Sequence, residues 1–146
     1  MEQGQEERYA GFWLRVVAFL VDTLVLMPAN FVMGFVLGVV LASGWGVTDQ
    51  DTLQAAGSIM GIVLAWLYYT LMTSSRFQGT LGKMAVGAKV IDQGGERIGL
   101  GRANARYWSK ILSGVLLMIG YLMVAFTTRK QGLHDKLAST LVVRRV

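Results

Sequence analysis

The stretch from Phe12 to Leu41, FWLRVVAFLVDTLVLMPANFVMGFVLGVVL, decides the class of this protein. Arg15 and Asp22 are its only charged residues, and it exceeds the about 20 apolar residues that a helix needs to cross roughly 30 Å of hydrocarbon. The chain opens with acidic rather than basic residues, which is not typical of a cleaved signal peptide. We therefore predict a retained transmembrane helix over about residues 12–41.

Two further apolar stretches follow along the chain, at about 53–73 and 108–126. The first has the length of a span, whereas the continuous apolar part of the second, Ile111 to Phe126, is shorter than a span needs. The predicted fold is an all-α integral membrane protein, a helical bundle of two clear transmembrane helices plus a third apolar segment that is either a short span or re-entrant. We expect a single domain over residues 1–146.

The composition supports this reading and narrows the function. Of 146 residues, 53% are hydrophobic and only 16% charged, which is too apolar for an ordinary soluble domain. With no cysteine and a lone histidine, His134, the chain offers no thiolate or multi-histidine metal site and no nucleophile motif. We expect no cofactor and no enzyme activity. The net charge of +5 fits topology and anionic lipid better than nucleic acid.

The distribution of basic residues predicts the orientation. The connection 43–54 has no lysine or arginine, whereas the connection 74–107 and the tail 127–146 are both basic. By the positive-inside rule the amino terminus and the second connection are cytoplasmic, in the cell membrane. A simple third crossing would put the basic tail outside, so we expect a re-entrant or broken helix that turns near Gly120.

The cytoplasmic connection contains a predicted β-hairpin. The segment from Ala85 to Ile91 alternates imperfectly between apolar and polar residues. It is followed by a glycine-containing turn, Asp92 to Glu96, and then by Arg97-Ile-Gly-Leu. These features predict two short strands paired across that turn.

Four glycines form two small-xxx-small patterns, Gly34 with Gly38 and Gly57 with Gly61. In an antiparallel helical hairpin both pairs would lie at a similar depth in the outer leaflet. Because such patterns let two helix backbones approach closely, we expect these glycines in helix packing. The alternative is chance, since glycine is frequent in spans.

Arg15 and Asp22 carry the chemistry of the first span. Seven residues on an α-helix bring them to one face, with the aspartate about 10 Å deeper. A carboxylate inside hydrocarbon normally faces protein or water and has a partner, which makes Asp22 the leading candidate for an ion, proton or structural site. The alternative for Asp22 is a buried ion pair or hydrogen-bonded group that fixes helix packing. The alternative for Arg15 is a snorkelling side chain that only anchors the helix end at the membrane surface.

Two motifs near the cytoplasmic side complete the candidates. In Gln131-Gly-Leu-His-Asp-Lys136, His134 could titrate near neutral pH beside Asp135. Gln78-Gly-Thr-Leu-Gly-Lys83 is not a phosphate-binding loop, because Phe77 replaces its first glycine and Met84 its hydroxyl residue. Gln78, Lys83 and His134 are therefore supporting residues only.

These residues together resemble the RDD family. Arg15 and Asp22, in AGFWLRVVAFLVD, and Asp135, in QGLHDKLA, look like the arginine and two aspartates that name it. The segment QGTLGK, followed by VGAKVID and a glycine turn, is similar to the family's segment after the second span. The resemblance covers about Tyr9 to Arg145. It departs at Ser139, where the family pattern has glycine.

The resemblance implies a bacterial-type multi-pass membrane domain associated with transport. Sodium/proton exchange is proposed for some relatives and an assembly role for some eukaryotic ones. We expect a small transporter component in which Asp22 binds a monovalent cation or proton, Arg15 tunes its charge and Asp135 closes the site. Three short segments are too few to enclose a transport path across the membrane, so we expect a homo-oligomer. The competing hypothesis is a scaffold that recruits or stabilises a membrane protein partner.

Overall fold

A computed structural model of the chain describes residues 9–115 and 119–145. It is mostly helical, with one small antiparallel sheet. The elements in chain order are α1 (Phe12–Trp45), α2 (Gln50–Ser74), α3 (Leu81–Ala85), β1 (Ala88–Asp92), α4 (Leu100–Val115), α5 (Ile119–Phe126), α6 (Leu133–Leu137) and β2 (Thr140–Arg144).

The two long helices confirm the predicted apolar elements. Both are long and apolar enough to cross a membrane. α1 continues through Pro28 and ends where Gly46 adopts a left-handed conformation that satisfies the carbonyl of Leu41. α2 is capped at its start by Asp49, whose side chain accepts from the backbone N–H of Thr52. In α1 only Ala18 and Asp22 are buried, and its other apolar side chains are partly or largely exposed.

The third apolar segment is divided between two helices, α4 and α5, and residues 116–118 lie outside the described part of the chain. Gly120, near which we expected the turn, belongs to α5. α4 packs against α2 and α6.

The amphipathic character of α4 is reversed relative to that of a soluble protein. Its polar residues Arg106 and Ser113 are buried, whereas Trp108, Ile111 and Leu112 are each about half exposed. In water this arrangement would expose the apolar face and bury the polar one, at a cost on both sides. It suits a helix whose outer face meets lipid.

The predicted hairpin is wrong, because β1 pairs with the C-terminal strand β2 instead. The strands are antiparallel, with Ala88 opposite Arg144 and Asp92 opposite Thr140. β2 offers the apolar run Leu141–Val143, all buried, which a strand beginning at Arg97 lacks. The turn after β1 does form: the Asp92 carboxylate accepts from the N–H groups of Gly94 and Glu96.

The described chain contains a structural repeat with an offset of 52 residues. α2 ends at Ser74 and α5 at Phe126, and each leads through a turn into a five-residue helix and a five-residue strand. The left-handed residues also correspond: Gln78 with Lys130, at φ of 54° and 50°, and Gly87 with Ser139, at 67° and 53°. The conformation for which the family pattern has glycine is thus retained with serine at position 139.

The repeat makes the sheet a pseudo-twofold arrangement. Val90 and Val142 are equivalent residues of the two halves and lie opposite each other at the centre of the sheet. Both are fully buried, in a core with Ala10, Ile98 and Ala103. The N–H of Ala10 donates to the carbonyl of Val142, so the chain just before α1 is fixed to β2. We call the assembly of α3, β1, α6 and β2 the cap; it lies where α1 begins and α2 ends.

The predicted close approach through glycine pairs is wrong for three of the four glycines within the chain. A Cβ added at Gly34, Gly38 or Gly57 would meet open space, so these positions do not bring α1 and α2 together. Gly61 faces α1: its Cβ would lie 3.1 Å from Oδ1 of Asn30. At Gly61 the contact with α1 is therefore made by the Asn30 side chain and not by backbone against backbone.

Candidate functional site

Asp135 is the centre of the first polar cluster, and two arginines neutralise it. Arg106 Nη2 donates to Asp135 Oδ1 at 2.5 Å, and Arg15 forms an ion pair with Oδ2. The Oδ2 atom also accepts from the N–H of Gly132, at the start of α6. Arg15 further donates to the carbonyl of Lys130 at 2.5 Å. These contacts join α1, α4 and the beginning of α6.

The electrostatics of this cluster fix its charge. Burial of the carboxyl would raise the pKa of Asp135, but the guanidinium groups of Arg106 and Arg15 outweigh burial and hold it far below its usual range. Asp135 is fully buried and stays ionised. A carboxylate held between two arginines is poorly suited to bind a cation, because the arginines repel it.

His134 does not titrate near neutral pH, contrary to the prediction. It is 2% exposed, and burial lowers its pKa to about 2 despite the opposing effect of Asp135. Its Nε2 lies 3.5 Å from Asp135 Oδ1. The contact is therefore between a neutral imidazole and a carboxylate.

Asp22 is the centre of a second cluster, built from neutral donors. Its Oδ1 accepts from the Tyr68 hydroxyl at 2.8 Å and from the N–H of Gly82 at 2.8 Å. Its Oδ2 accepts from the Thr80 hydroxyl at 2.6 Å. Because Tyr68 lies on α2 and Gly82 on α3, the carboxylate joins three elements. Asp22 is 2% exposed.

Gly82 is required by the close approach of α3 to α1. A Cβ at this position would lie 2.0 Å from the carbonyl oxygen of Ala18 and 2.8 Å from Cγ of Asp22. Neither a backbone carbonyl nor a carboxylate held by three donors can move away easily. The second glycine of QGTLGK therefore serves packing.

The two other supporting residues take different places. Gln78 contributes through its backbone, since its carbonyl accepts from the N–H of Val90 at 2.6 Å. Lys83 is buried beside the second cluster and interacts electrostatically with Asp22. Among the described residues it forms no ion pair within 4 Å. Burial, aided by Lys110 and Arg106, lowers the pKa of Lys83 well below its usual value.

The single predicted cluster of Arg15, Asp22 and Asp135 is therefore two adjoining clusters. Arg15 pairs with Asp135, and no direct contact with Asp22 is found in the described part of the chain. The depth difference along α1 explains this separation, because two helical turns lie between the residues. The predicted union of Arg15 with Asp135 is present, whereas tuning of Asp22 by direct contact with Arg15 is not.

A small cleft, with room for little more than one water molecule, lies beside the Asp135 cluster, between α2 and α4. Arg106 and Lys110 supply its positive charge, and the ammonium of Lys110 lies 4.9 Å from the ring centre of Tyr69. The cleft is lined by Tyr69, Thr73, Ala103, Arg106, Tyr107 and Lys110.

Sequence reasoning missed several residues of these clusters. Arg106 was counted only among the basic residues that orient the chain, and nothing in its local sequence distinguishes it from Arg102, which is exposed. Tyr68 lies within the predicted second span, where nothing in the sequence marks it as a donor to a carboxylate. The repeat leaves only a weak trace in the sequence: Gln78-Gly79 and Gln131-Gly132 each precede a leucine, a lysine and an alanine, but all of these matches except the leucine are displaced by one residue from the structural offset. This trace does not point to Arg106 or Tyr68.

The fold and the two clusters define a class: a small, mostly helical protein with two membrane-length helices and a cap fixed to them by buried aspartates. The chain belongs to the RDD family, whose model matches residues 9–139. Arg15, Asp22 and Asp135 all lie within the matched region.

Two Bacillus subtilis (strain 168) proteins are similar over nearly the whole chain. The uncharacterized protein YxaI is 35% identical over 149 aligned residues, covering 94% of this chain and 98% of the relative. The uncharacterized membrane protein YteJ is 34% identical over 142 residues, covering 92% of this chain and 80% of the relative. No solved structure matches the chain. The family, the second relative's name and the two apolar helices together support a membrane location.

Proposed function

We propose that the protein is a multi-pass membrane scaffold, in which α1 and α2 cross the bilayer and hold the cap at its cytoplasmic face. The observation that carries the proposal is that both aspartates are occupied by donors of the protein itself. Each joins elements that are distant in sequence, as a structural lock does. An ion-coupling carboxylate needs open coordination positions instead.

The length of α1 supports this placement of the cap. Asp22 lies 23 residues before Trp45, which corresponds to about 35 Å along a helix. With Trp45 at the outer interface, the roughly 30 Å of hydrocarbon ends near Asp22. Both clusters then lie at the depth of the inner headgroups, where polar groups are tolerated.

The outer surface of α1 supports association with another transmembrane helix. Much of the outer half of α1 is exposed within the described chain, and Gly34 and Gly38 leave a shallow strip free of side chains on one face. Packing between membrane helices depends on such close fit, since lipid is as apolar as leucine. We propose a second copy of the chain or a partner span at this strip.

The test uses variants that fill the strip. Gly34→Ile with Gly38→Ile should abolish the crosslinked complex formed in native membranes, while monomer yield and thermal stability stay unchanged. The matched control, Val36→Phe with Val40→Phe, enlarges the opposite face and should leave the complex intact. A protein that is monomeric and without a crosslinked partner in its own membrane would contradict the scaffold.

The second candidate is the proton or cation transporter, and one observation favours it. Asp22 is contacted by two hydroxyls, of Tyr68 and Thr80, and lies near the buried amine of Lys83. Hydroxyls can relay a proton between a carboxylate and an amine. In proteoliposomes this candidate predicts sodium- or proton-coupled flux that Asp22→Asn abolishes with expression and oligomer size unchanged, whereas the scaffold predicts no flux from the wild type.

A further inference from the structure

We propose that Lys83 is a proton-binding site and that its neutral form keeps α3 packed against α1. The inference concerns the packing of the cap and holds whether the protein is a scaffold or a transporter. Its first ground is burial without a partner. Lys83 is 6% exposed, and within residues 9–115 and 119–145 its side-chain nitrogen forms no hydrogen bond and no ion pair within 4 Å. A charged ammonium is costly in such a place.

The position of Lys83 depends on the packing of α3. A Cβ added at Gly79 would lie 3.2 Å from Cβ and 3.4 Å from Cδ of Lys83, so the lysine stem runs along the Gly79 backbone. One residue before Lys83, Gly82 approaches the Ala18 carbonyl so closely that no Cβ fits between them. Bringing the lysine nitrogen into water therefore requires α3 to separate from α1.

The charges around Lys83 disfavour its protonated form. Arg15 on α1 repels an ammonium at this position, as do Arg106 and Lys110 on α4. Asp22 on α1 is the one described acidic group that attracts it, and no charged side chain of the neighbouring strand β1 adds to these effects. Burial is the largest influence, and together with the basic neighbours it lowers the pKa of Lys83 well below its usual value.

Asp22 is already engaged by other donors. Its oxygens accept from the Tyr68 hydroxyl on α2 and from the Gly82 N–H and the Thr80 hydroxyl of the α3 segment. A protonated Lys83 that turned toward Asp22 would compete with these α3 donors for the carboxylate. Water and Asp22 are the two partners that an ammonium could gain, and reaching either one weakens the contact of α3 with α1.

The direction of the pH effect follows from this comparison. After α3 separates from α1, Lys83 is in water, and its pKa returns to about 10.4. Between the lowered pKa of the packed state and this value, the separated state binds one more proton than the packed state. Rising pH therefore favours packing, by up to about tenfold in the equilibrium constant per pH unit, and falling pH releases α3.

Hydrogen exchange at the Gly82 amide tests the proposal, because this N–H donates to Asp22 only while α3 is packed. The purified full chain is measured in detergent micelles between about pH 6 and pH 9, below the ordinary lysine pKa. After correction for the intrinsic pH dependence of exchange, protection in the wild type should rise with pH, by up to about tenfold per unit. Lys83→Met keeps the apolar stem without the charge and should be strongly protected at every pH. Lys83→Arg cannot lose its proton and should be weakly protected at every pH.

Two controls separate this effect from a general effect of pH. Lys136→Met removes an exposed lysine from α6 and should keep the pH dependence of the wild type. The Gly132 amide, which donates to Asp135, should not respond to the Lys83 variants. An equal response at Gly132 would overturn the assignment to the contact between α3 and α1.

The wild type and the Lys83 variants can each contradict the proposal. Protection of Gly82 that does not change with pH in the wild type would overturn it, as would equal protection in Lys83→Arg and Lys83→Met. If a variant does not fold, the Cε resonance of Lys83 in the wild type decides instead. Titration near the ordinary lysine pKa of about 10.4 would overturn the proposal, and titration at a clearly lower pH would support it.

Discussion

At the scale of single residues, Asp135 is the shared counter-ion of two arginines. Asp135→Asn keeps the shape of the side chain but leaves Arg15 and Arg106 buried without their counter-ion. Breaking a buried ion pair from one side typically costs about 3–5 kcal/mol. We expect a loss of this size in the free energy of unfolding, measured by denaturant titration in detergent.

The pH dependence follows from the same carboxylate. Because the folded-state pKa of Asp135 lies below the unfolded value of about 4, its contribution is complete above that pH and declines as the pH falls below it. The Tm of the wild type should therefore decrease between about pH 5 and pH 3. Asp135→Asn should show a smaller decrease, and an equal decrease would contradict the assignment.

Gly82 gives a third prediction at the scale of single residues. Gly82→Ala places a methyl group against the Ala18 carbonyl, so α3 must move away from α1 and break the hydrogen bond to Asp22. We expect a stability loss of several kcal/mol, on the order of other overpacked sites or more. Gly57→Ala is the control, because its new Cβ meets open space. Thermal unfolding of the two variants measures the difference.

At the scale of elements, the pairing of β1 with β2 can be tested directly, because the chain has no cysteine. Val90→Cys with Val142→Cys places two thiols on directly opposed residues, where antiparallel Cα atoms are about 4.5–5.5 Å apart. This separation suits a disulfide. We expect oxidation to give a fast-migrating band on non-reducing gels, whereas Val90→Cys with Ile98→Cys, placed to test the predicted hairpin, should give less.

The elements also show how far the sequence predicts the fold. Length and apolarity predict the two long helices, and the predicted Phe12–Leu41 and 53–73 differ from them by a few residues at their ends. The partner of β1 could not be derived from local pattern, because strand pairing depends on distant residues. The strand at Leu141–Val143 was not predicted, because the basic residues Arg144 and Arg145 that follow it made the segment resemble a charged tail.

The candidate site was predicted in part for a related reason. Arg15 and Asp22 stand out because charge is rare in an apolar stretch. Asp135 lies in a charged tail, and only the family pattern connects it with them. Their division into two clusters depends on where α3 and α6 return to α1. Arg106 completes the first cluster from a segment in which basic residues are common, so composition could not identify it.

At the scale of the whole molecule, the position of the carboxyl terminus decides the topology. β2 is fixed to β1 and to the chain just before α1, so both termini should lie on one side of the membrane. We expect reporter fusions at Val146 to be active only when the reporter works in the cytoplasm. Fusions after Trp45 should show the opposite pattern, and an external Val146 would mean three full crossings and contradict the proposed placement.

The repeat that builds the cap has a consequence for its ancestry. Two equivalent halves about a pseudo-twofold axis are what gene fusion would leave of a shorter homodimeric protein, because such dimers are symmetric. In a true homodimer, equivalent positions must carry the same residue. The fused chain is free of that constraint: Lys83 and Asp135 occupy equivalent places in α3 and α6, 52 residues apart. Only a chain whose two halves can change independently can carry opposite charges at equivalent positions.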